Sequence, residues 1–288
     1  MTGSRGFPMN SWMLKLAKSI YLATGSHKLR EFYWNIFVKL IRDRKKLVAV
    51  DGMTFELDLG ETIDVCVMLG KYETDIVSAI EQFCKPGWTV LDIGANIGAH
   101  CLRFARKVGP HGRVYAFEPT NSAYRKLERN VSLNGLNNVR LFRTALSDRN
   151  LPGQEVTIKS SWRTDGRQIV ENSVVDFRKL DDWCAENGVD NVDLIKLDVD
   201  GHEHPILTGA EMLLRKANPL LFIEIGAYHF DAPERNPLVF LEGLGYRFRD
   251  SRYLGKYTSI DAIKQELLDC DPKGAISVNI IAGHGISC

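Results

Sequence analysis

The stretch TVLDIGANIGAH, Thr89 to His100, runs an apolar strand into a glycine-rich turn and then into a helix. In open α/β sheets ligands sit at the carboxyl ends of the strands, and glycine there lets backbone approach a ligand with no Cβ in the way. Gly94 and Gly98 are placed for this, with Ala95 and Asn96 between them. A dinucleotide fingerprint would need further glycines where this chain has Asn96 and Ala99, which disfavours a nicotinamide or flavin. Asp92, at the strand end, puts a carboxylate where a pyrophosphate would be repelled and a cationic group attracted. The next apolar run, VYAFEP, ends in Glu118 and Pro119, at the distance where an acidic side chain grips the hydroxyls of a ribose. The lesser reading of Glu118 is that it merely caps the following helix. A ligand combining a cation with a ribose fits both acids, and S-adenosylmethionine (SAM) carries an α-ammonium and a sulfonium as well as the ribose.

Those residues need elements that bring them to one edge. Strands are expected at 89–93, 113–118, 139–144, 194–198 and 220–224, and helices near 99–107, 122–134, 180–187 and 205–216. Apolar strands alternating with amphipathic helices imply a mostly parallel sheet covered on both faces. Ahead of it, residues 47–59 alternate around Asp51-Gly52 as a β-hairpin, and residues 75–83 read as a helix. Residues 147–177 lapse into polar, turn-rich sequence, expected to be an insertion or lid. The tail adds strands at 246–249 and 276–282.

The 288 residues carry 37 Lys and Arg against 36 Asp and Glu, so the overall charge offers no argument for a nucleic-acid partner. The segment from Ser11 to Lys46 is the exception, with nine basic residues against Glu31 and Asp43 and aromatic residues at roughly helical spacing. Two amphipathic helices broken near Gly25 fit it. They would cap the core, make a homodimer contact, or attach the protein peripherally to an anionic membrane. Six scattered cysteines show no zinc-ligand spacing, and neither a secretory signal nor a bilayer-spanning run is evident, so the expected setting is cytoplasmic, with room for peripheral attachment at the inner face of the membrane.

LDIGANIGAH, AFEPT, the TALSD of Thr144 to Asp148, LIKLDVDGHEHPILTGA from Leu194, and the upstream GKYETD together resemble the FkbM-type SAM-dependent methyltransferases over about residues 59–225. The chain is expected to divide into an N-terminal basic helical and hairpin extension of 1–58, whose helices the resemblance does not cover, and a methyltransferase domain of 59–288. For that domain the resemblance implies an α/β, doubly wound, mostly parallel seven-stranded sheet of the Rossmann-like class I methyltransferase kind. It implies O-methylation of a hydroxyl on a sugar, glycan or polyketide-like acceptor. Position by position, Asp92, Gly94, Ala95, Asn96 and Gly98 would hold the methionine part of SAM, Glu118 and Pro119 the ribose, and Ala145 and Leu146 would flank the adenine. Tyr72 and Glu73 would close over the cofactor. Asp200 stands where the family more often has glutamate.

A hydroxyl is a poor nucleophile until its proton is taken, and the candidate bases are Asp198 at its strand end, His202, and His229 as an outsider. Asp198 and Glu224 close strands expected to be neighbours and could share a divalent metal, although two carboxylates do not favour one, and Glu224 could instead pair with Lys196. Trp162, Arg163 and Arg167 are candidate acceptor contacts. The alternatives are a SAM-dependent methyltransferase acting on RNA or protein, a non-catalytic nucleotide-binding module, and, more distantly, a nicotinamide oxidoreductase.

Overall fold

A computed structural model describes residues 45–252, 254, 256–270 and 277–284, with residues 16, 19, 20, 23, 26, 29, 32–34, 36 and 37 of the N-terminal segment. The helix break expected near Gly25 and most of the basic side chains around it lie outside the described residues. Strands β1 (Lys45–Val50) and β2 (Met53–Asp58) form the expected hairpin, with Asp51 and Gly52 both at positive φ in its turn. Two helices follow, α1 (Thr62–Leu69) and α2 (Thr74–Phe83).

The alternating region then supplies β3 (Thr89–Ile93), α3 (Ala99–Val108), β4 (Arg113–Phe117), α4 (Asn121–Leu133) and β5 (Val139–Phe142). After an intervening insertion come α5 (Leu180–Asn187), β9 (Leu194–Leu197), α6 (Glu203–Thr208), α7 (Glu211–Ala217) and β10 (Leu220–Gly226). The tail contributes α8 (Pro237–Gly243), β11 (Arg247–Asp250), β12 (Tyr257–Thr258), α9 (Ile260–Cys270) and β13 (Ser277–Gly283).

The main sheet runs β12-β11-β13-β10-β9-β3-β4-β5. Strands β5, β4, β3, β9 and β10 are mutually parallel, whereas β13 inserts antiparallel between β10 and β11. The seven expected strands are thus joined by an eighth, the two-residue β12, at the edge. Alternate side chains feed two apolar layers. Val90, Val114, Ala116, Leu194 and Phe222 face one, which also holds β2 and α3, while Leu91, Tyr115, Phe117, Ile195 and Ile223 face the other with α5 to α7. The β1–β2 hairpin shares the first layer through Phe55 and Leu57; Asn130 of α4 accepts its Glu56 amide and Asn134, just past α4, its Thr54 amide, each at 2.8 Å.

Two expectations need correcting. The polar region 147–177 is a long antiparallel hairpin, β7 (Leu151–Trp162) and β8 (Gln168–Lys179), extended by β6 (Ala145–Ser147) into a three-stranded sheet. Its outer positions are solvent-exposed, so the alternation that marks a half-buried strand is diluted by polar residues. The single helix expected over 205–216 is broken into α6 and α7 at Gly209, where a Cβ would stand 2.0 Å from the Ser147 carbonyl oxygen. Only glycine permits that approach of the helix to β6.

Candidate active site

The reversal of strand order lies between β3 and β9, and the turn after β3 opens at that crevice. Gly94, Asn96 and Gly98 all adopt positive φ. The turn is pinned from several sides: Gly94 and Ala95 donate to the Phe117 carbonyl at 3.0 Å, Asn96 N–H donates to Glu118 Oε2 at 2.9 Å, and Asn130 Nδ2 donates to the Ile97 carbonyl. Glu118 also accepts from Thr120 N–H at 2.9 Å and Thr120 Oγ1 at 2.6 Å. Burial raises its pKa, with these three donors holding the rise in check. Glu118 is therefore a positioned carboxylate that ties β4 to the glycine turn, and Pro119 is the half-buried link to α4. Replacing Glu118 with alanine is expected to weaken SAM binding about 10–100-fold, measured by titration calorimetry, because the carboxylate that anchors the glycine turn is lost.

Asp92 is fully buried, and neither of its carboxylate oxygens has a hydrogen-bond partner among the described residues. It lines a narrow cavity together with Ile63, Tyr72, the turn from Gly94 to Ile97, His100 and Lys196. Burial pushes its pKa up, while Lys196 and His100 act against that rise. A buried carboxylate left without a partner is costly unless a ligand supplies one. The α-ammonium of SAM has the charge and the donors to do so, and the residues present fit that cofactor.

Tyr72, in the connection between α1 and α2, lines this cavity, and Glu73 follows it directly before α2. Glu73 sits at φ +39°, and its Oε2 lies 2.5 Å from His100 Nε2. The Tyr72 ring stacks on His100 at 5.4 Å, and His100 Nδ1 is buried with no partner among the described residues. Ala145 and Leu146 lie in β6, just beyond the end of β5, with Leu146 buried.

At the end of β9, Asp198 Oδ2 accepts from the buried Lys196 ammonium at 2.8 Å. Burial alone would raise the Asp198 pKa, but Lys196, with a hydrogen bond from Glu224, brings it below the usual range. Glu224 is driven the other way, to about 9, by burial and then by the negative charge of Asp198. It also accepts from Ser277 Oγ. Lys196 thus pairs with Asp198, and Glu224 enters neutral pH carrying a proton. Asp200 completes a group in which one oxygen from each of Asp198, Asp200 and Glu224 lies within 4.8 Å of the others. Lys196 places a cation against the Asp198 member of this group.

His202 is half-buried at the root of the long hairpin, its Nε2 3.0 Å from Ser147 Oγ and its ring against Phe177. Burial lowers its pKa. No described hydrogen bond joins it to Asp198. His229 has both ring nitrogens engaged: Nδ1 accepts from Gly226 N–H at 3.0 Å and Nε2 meets Glu203 Oε2 at 2.7 Å. With its lone pair so used, it cannot serve as a base. Glu203, fully buried, also accepts from Val199 and Gly201 N–H, and so holds the loop after Asp198, where Asp200 and Gly201 have positive φ, against the end of β10.

Neither His100 nor Glu203 stands out in the sequence. A histidine inside a helix start and a glutamate at a helix start are both ordinary there, and only their burial marks them.

The long hairpin arches beside the start of α4, close to Glu118. Glu171 of β8 accepts the Asn121 and Ser122 amides at the start of α4, and its tip reaches the β2–α1 connection through Thr164 N–H to the Gly60 carbonyl. Trp162 is exposed near that tip, Arg163 bridges to Glu61, and Arg167 pairs with Asp165 in solvent. A larger hollow of about 630 Å³ lies elsewhere, at the amino ends of β4 and β5 among Arg106, His111, Arg113 and Arg140. That is the wrong end of a doubly wound sheet for the cofactor.

The parallel sheet with β13 inserted antiparallel, and an acid-flanked glycine turn at its switch point, define a class I methyltransferase fold of the SAM-binding type. The family model for the methyltransferase FkbM domain matches residues 92–270, more than half of the chain, and the protein belongs to that family. The 2-O-methyltransferase NoeI of Sinorhizobium fredii (strain NBRC 101917 / NGR234) is 33% identical over 165 residues, covering 51% of this chain and 65% of NoeI. The 31-O-demethyl-FK506 methyltransferase FkbM of Streptomyces tacrolimicus is 27% identical over 162 residues, 44% of this chain and 61% of that one. The chain therefore spans less than two thirds of the length of these relatives. Among solved structures, methyltransferase FkbM from Methylobacillus flagellatus KT aligns with a TM-score of 0.41 and 14% identity, covering 93% of this chain and 58% of that one.

Proposed function

We propose that the protein transfers the methyl group of SAM to a hydroxyl oxygen of a small-molecule acceptor of the sugar, glycan or polyketide type. One observation carries it: the fully buried, unpartnered Asp92 carboxylate facing a cavity beside the glycine turn, with Glu118 held at the next strand end. NoeI, a 2-O-methyltransferase, and FkbM, a 31-O-demethyl-FK506 methyltransferase, are both named for O-methyl transfer, which supports oxygen as the acceptor atom.

Bound SAM supplies an electrophilic methyl on a sulfonium. The chain's part is to align the acceptor oxygen with it, exclude water and receive one proton. Asp92 would hold the ammonium, Glu118 the ribose, and Tyr72 with Glu73 would shut the cavity. Asp198 takes the acceptor proton. A carboxylate this strongly held by Lys196 is a weak resting base, but the acceptor oxygen becomes far more acidic as the methyl arrives, so a weak base suffices. His202, tied to Ser147, is the less favoured base.

The proton on Glu224 makes alkaline behaviour diagnostic. As pH rises through about 9 that proton leaves and a second negative charge appears beside Asp198. Turnover is expected to fall over that interval, and Glu224→Gln, which keeps a donor at every pH, is expected to flatten the fall in a pH–rate profile. Stability should move consistently. The folded pKa lies above the ordinary 4.5, so the folded state binds the extra proton and wild-type stability declines between about 4.5 and about 9, more steeply than in the variant.

Titration calorimetry with SAM, S-adenosylhomocysteine and NAD, with and without magnesium, tests the proposal. Saturable binding of both adenosyl ligands without magnesium supports it, and binding of NAD alone overturns it. A requirement for magnesium would restore the metal reading of Asp198 and Glu224, with Asp200 as third ligand.

A further inference from the structure

The N-terminal segment is two-faced. Its described residues 29, 32–34, 36 and 37 are helical. Trp34 is 3% exposed and donates from Nε1 to the Leu59 carbonyl at 3.3 Å, and Phe37 packs on it with ring centroids 5.4 Å apart. Trp34 belongs to the same apolar layer as Leu57 and Leu59. The remaining positions turn away: Leu29, Phe32, Tyr33 and Ile36 are 50%, 58%, 50% and 42% exposed. Their spacing of i, i+3, i+4 and i+7 is that of one helical stripe. The helix is thus pinned to the body by Trp34 and offers aromatic and aliphatic side chains outward.

Charge indicates what covers that stripe. The sequence from Ser11 to Lys46 has a net charge of +7, whereas the rest of the chain has a net charge of −6. A second copy meeting stripe to stripe would bring two strongly basic segments together, which repel. An anionic bilayer neutralises the basic side chains and takes apolar and aromatic ones to headgroup depth. No described helix is long and apolar enough to cross a membrane. We propose that this face is a docking surface for an anionic lipid bilayer, on which the segment lies in the interfacial plane.

The test is sedimentation of the full chain with vesicles of equal parts phosphatidylglycerol and phosphatidylcholine, against phosphatidylcholine alone. Binding to the first, little to the second, and release by raised salt are expected. Phe32→Glu with Ile36→Glu, at exposed positions and checked for an unchanged melting temperature, should reduce binding at least about tenfold. Lys39→Glu with Arg42→Glu leaves the apolar stripe intact and should also weaken binding, by about fivefold or more for each residue reversed. Absence of wild-type binding, or equal binding to both vesicle types, overturns the proposal. So does a wild-type dimer in size-exclusion chromatography that the Phe32 and Ile36 variant splits while vesicle binding persists. The assay needs no acceptor, so its failure would leave the methyl-transfer proposal untouched.

Discussion

Replacing Asp198 with asparagine is expected to lower methyl transfer by ~10²–10⁴-fold while leaving SAM affinity within a few fold, the signature of a lost proton acceptor. The split arises because Asp198 lies at the end of β9 among Lys196, Asp200 and Glu224, whereas Asp92 and Glu118 close β3 and β4. Removing a buried charge beside Lys196 would ordinarily be destabilising. Here the negative charges of Glu73 and Asp92, which also favour the protonated Lys196, moderate the loss. A melting temperature near that of the wild type, with turnover abolished, is the expected pairing of results. Full turnover in Asp198→Asn would remove Asp198 from the mechanism.

The second large effect is expected from Gly94→Ala. A Cβ at this residue would stand 1.8 Å from the Asp198 carbonyl oxygen and 2.9 Å from its carbonyl carbon, and the backbone is at φ +80°. Neither neighbour is a flexible side-chain tip, so the glycine turn or the end of β9 must move. Left-handed strain and overpacking together predict a loss of roughly 3–5 kcal/mol. Because one residue joins the turn to the Asp198 carbonyl, SAM binding and turnover should fail together, in contrast to Asp198→Asn. Calorimetric unfolding alongside SAM titration checks this, and a stable variant that binds SAM normally would contradict the packing.

Much of the fold was legible from the chain because its signals are local. Apolar runs such as TVLDI and LIKL, separated by amphipathic stretches, mark buried parallel strands whatever their neighbours, and β3 falls on the residues expected. The glycine turn was legible for the same reason: Gly94 and Gly98 interrupt an apolar run, and both adopt positive φ. The long hairpin escaped detection because its strands are mostly exposed, so no burial pattern separates them from loop. The break at Gly209 depends on a carbonyl of Ser147, some sixty residues away in sequence, and no local pattern reports that.

The site divides along the same line. The types of Asp92, Glu118 and Asp198, and their places at strand ends, follow from the sequence alone, since each closes an apolar run. Their protonation does not. Asp198, Glu224 and Lys196 come from two neighbouring strands, and only the parallel pairing of β9 with β10 and the inserted β13 decides that Lys196 meets Asp198, that Ser277 meets Glu224, and that Glu224 keeps its proton to about 9. Likewise, Glu203 is unremarkable in the chain and His229 reads there only as an outlying candidate base; they become a buried clamp only when α6 packs beside the end of β10. Residue type sets which charges a site can have; burial and long-range neighbours set which ones it holds.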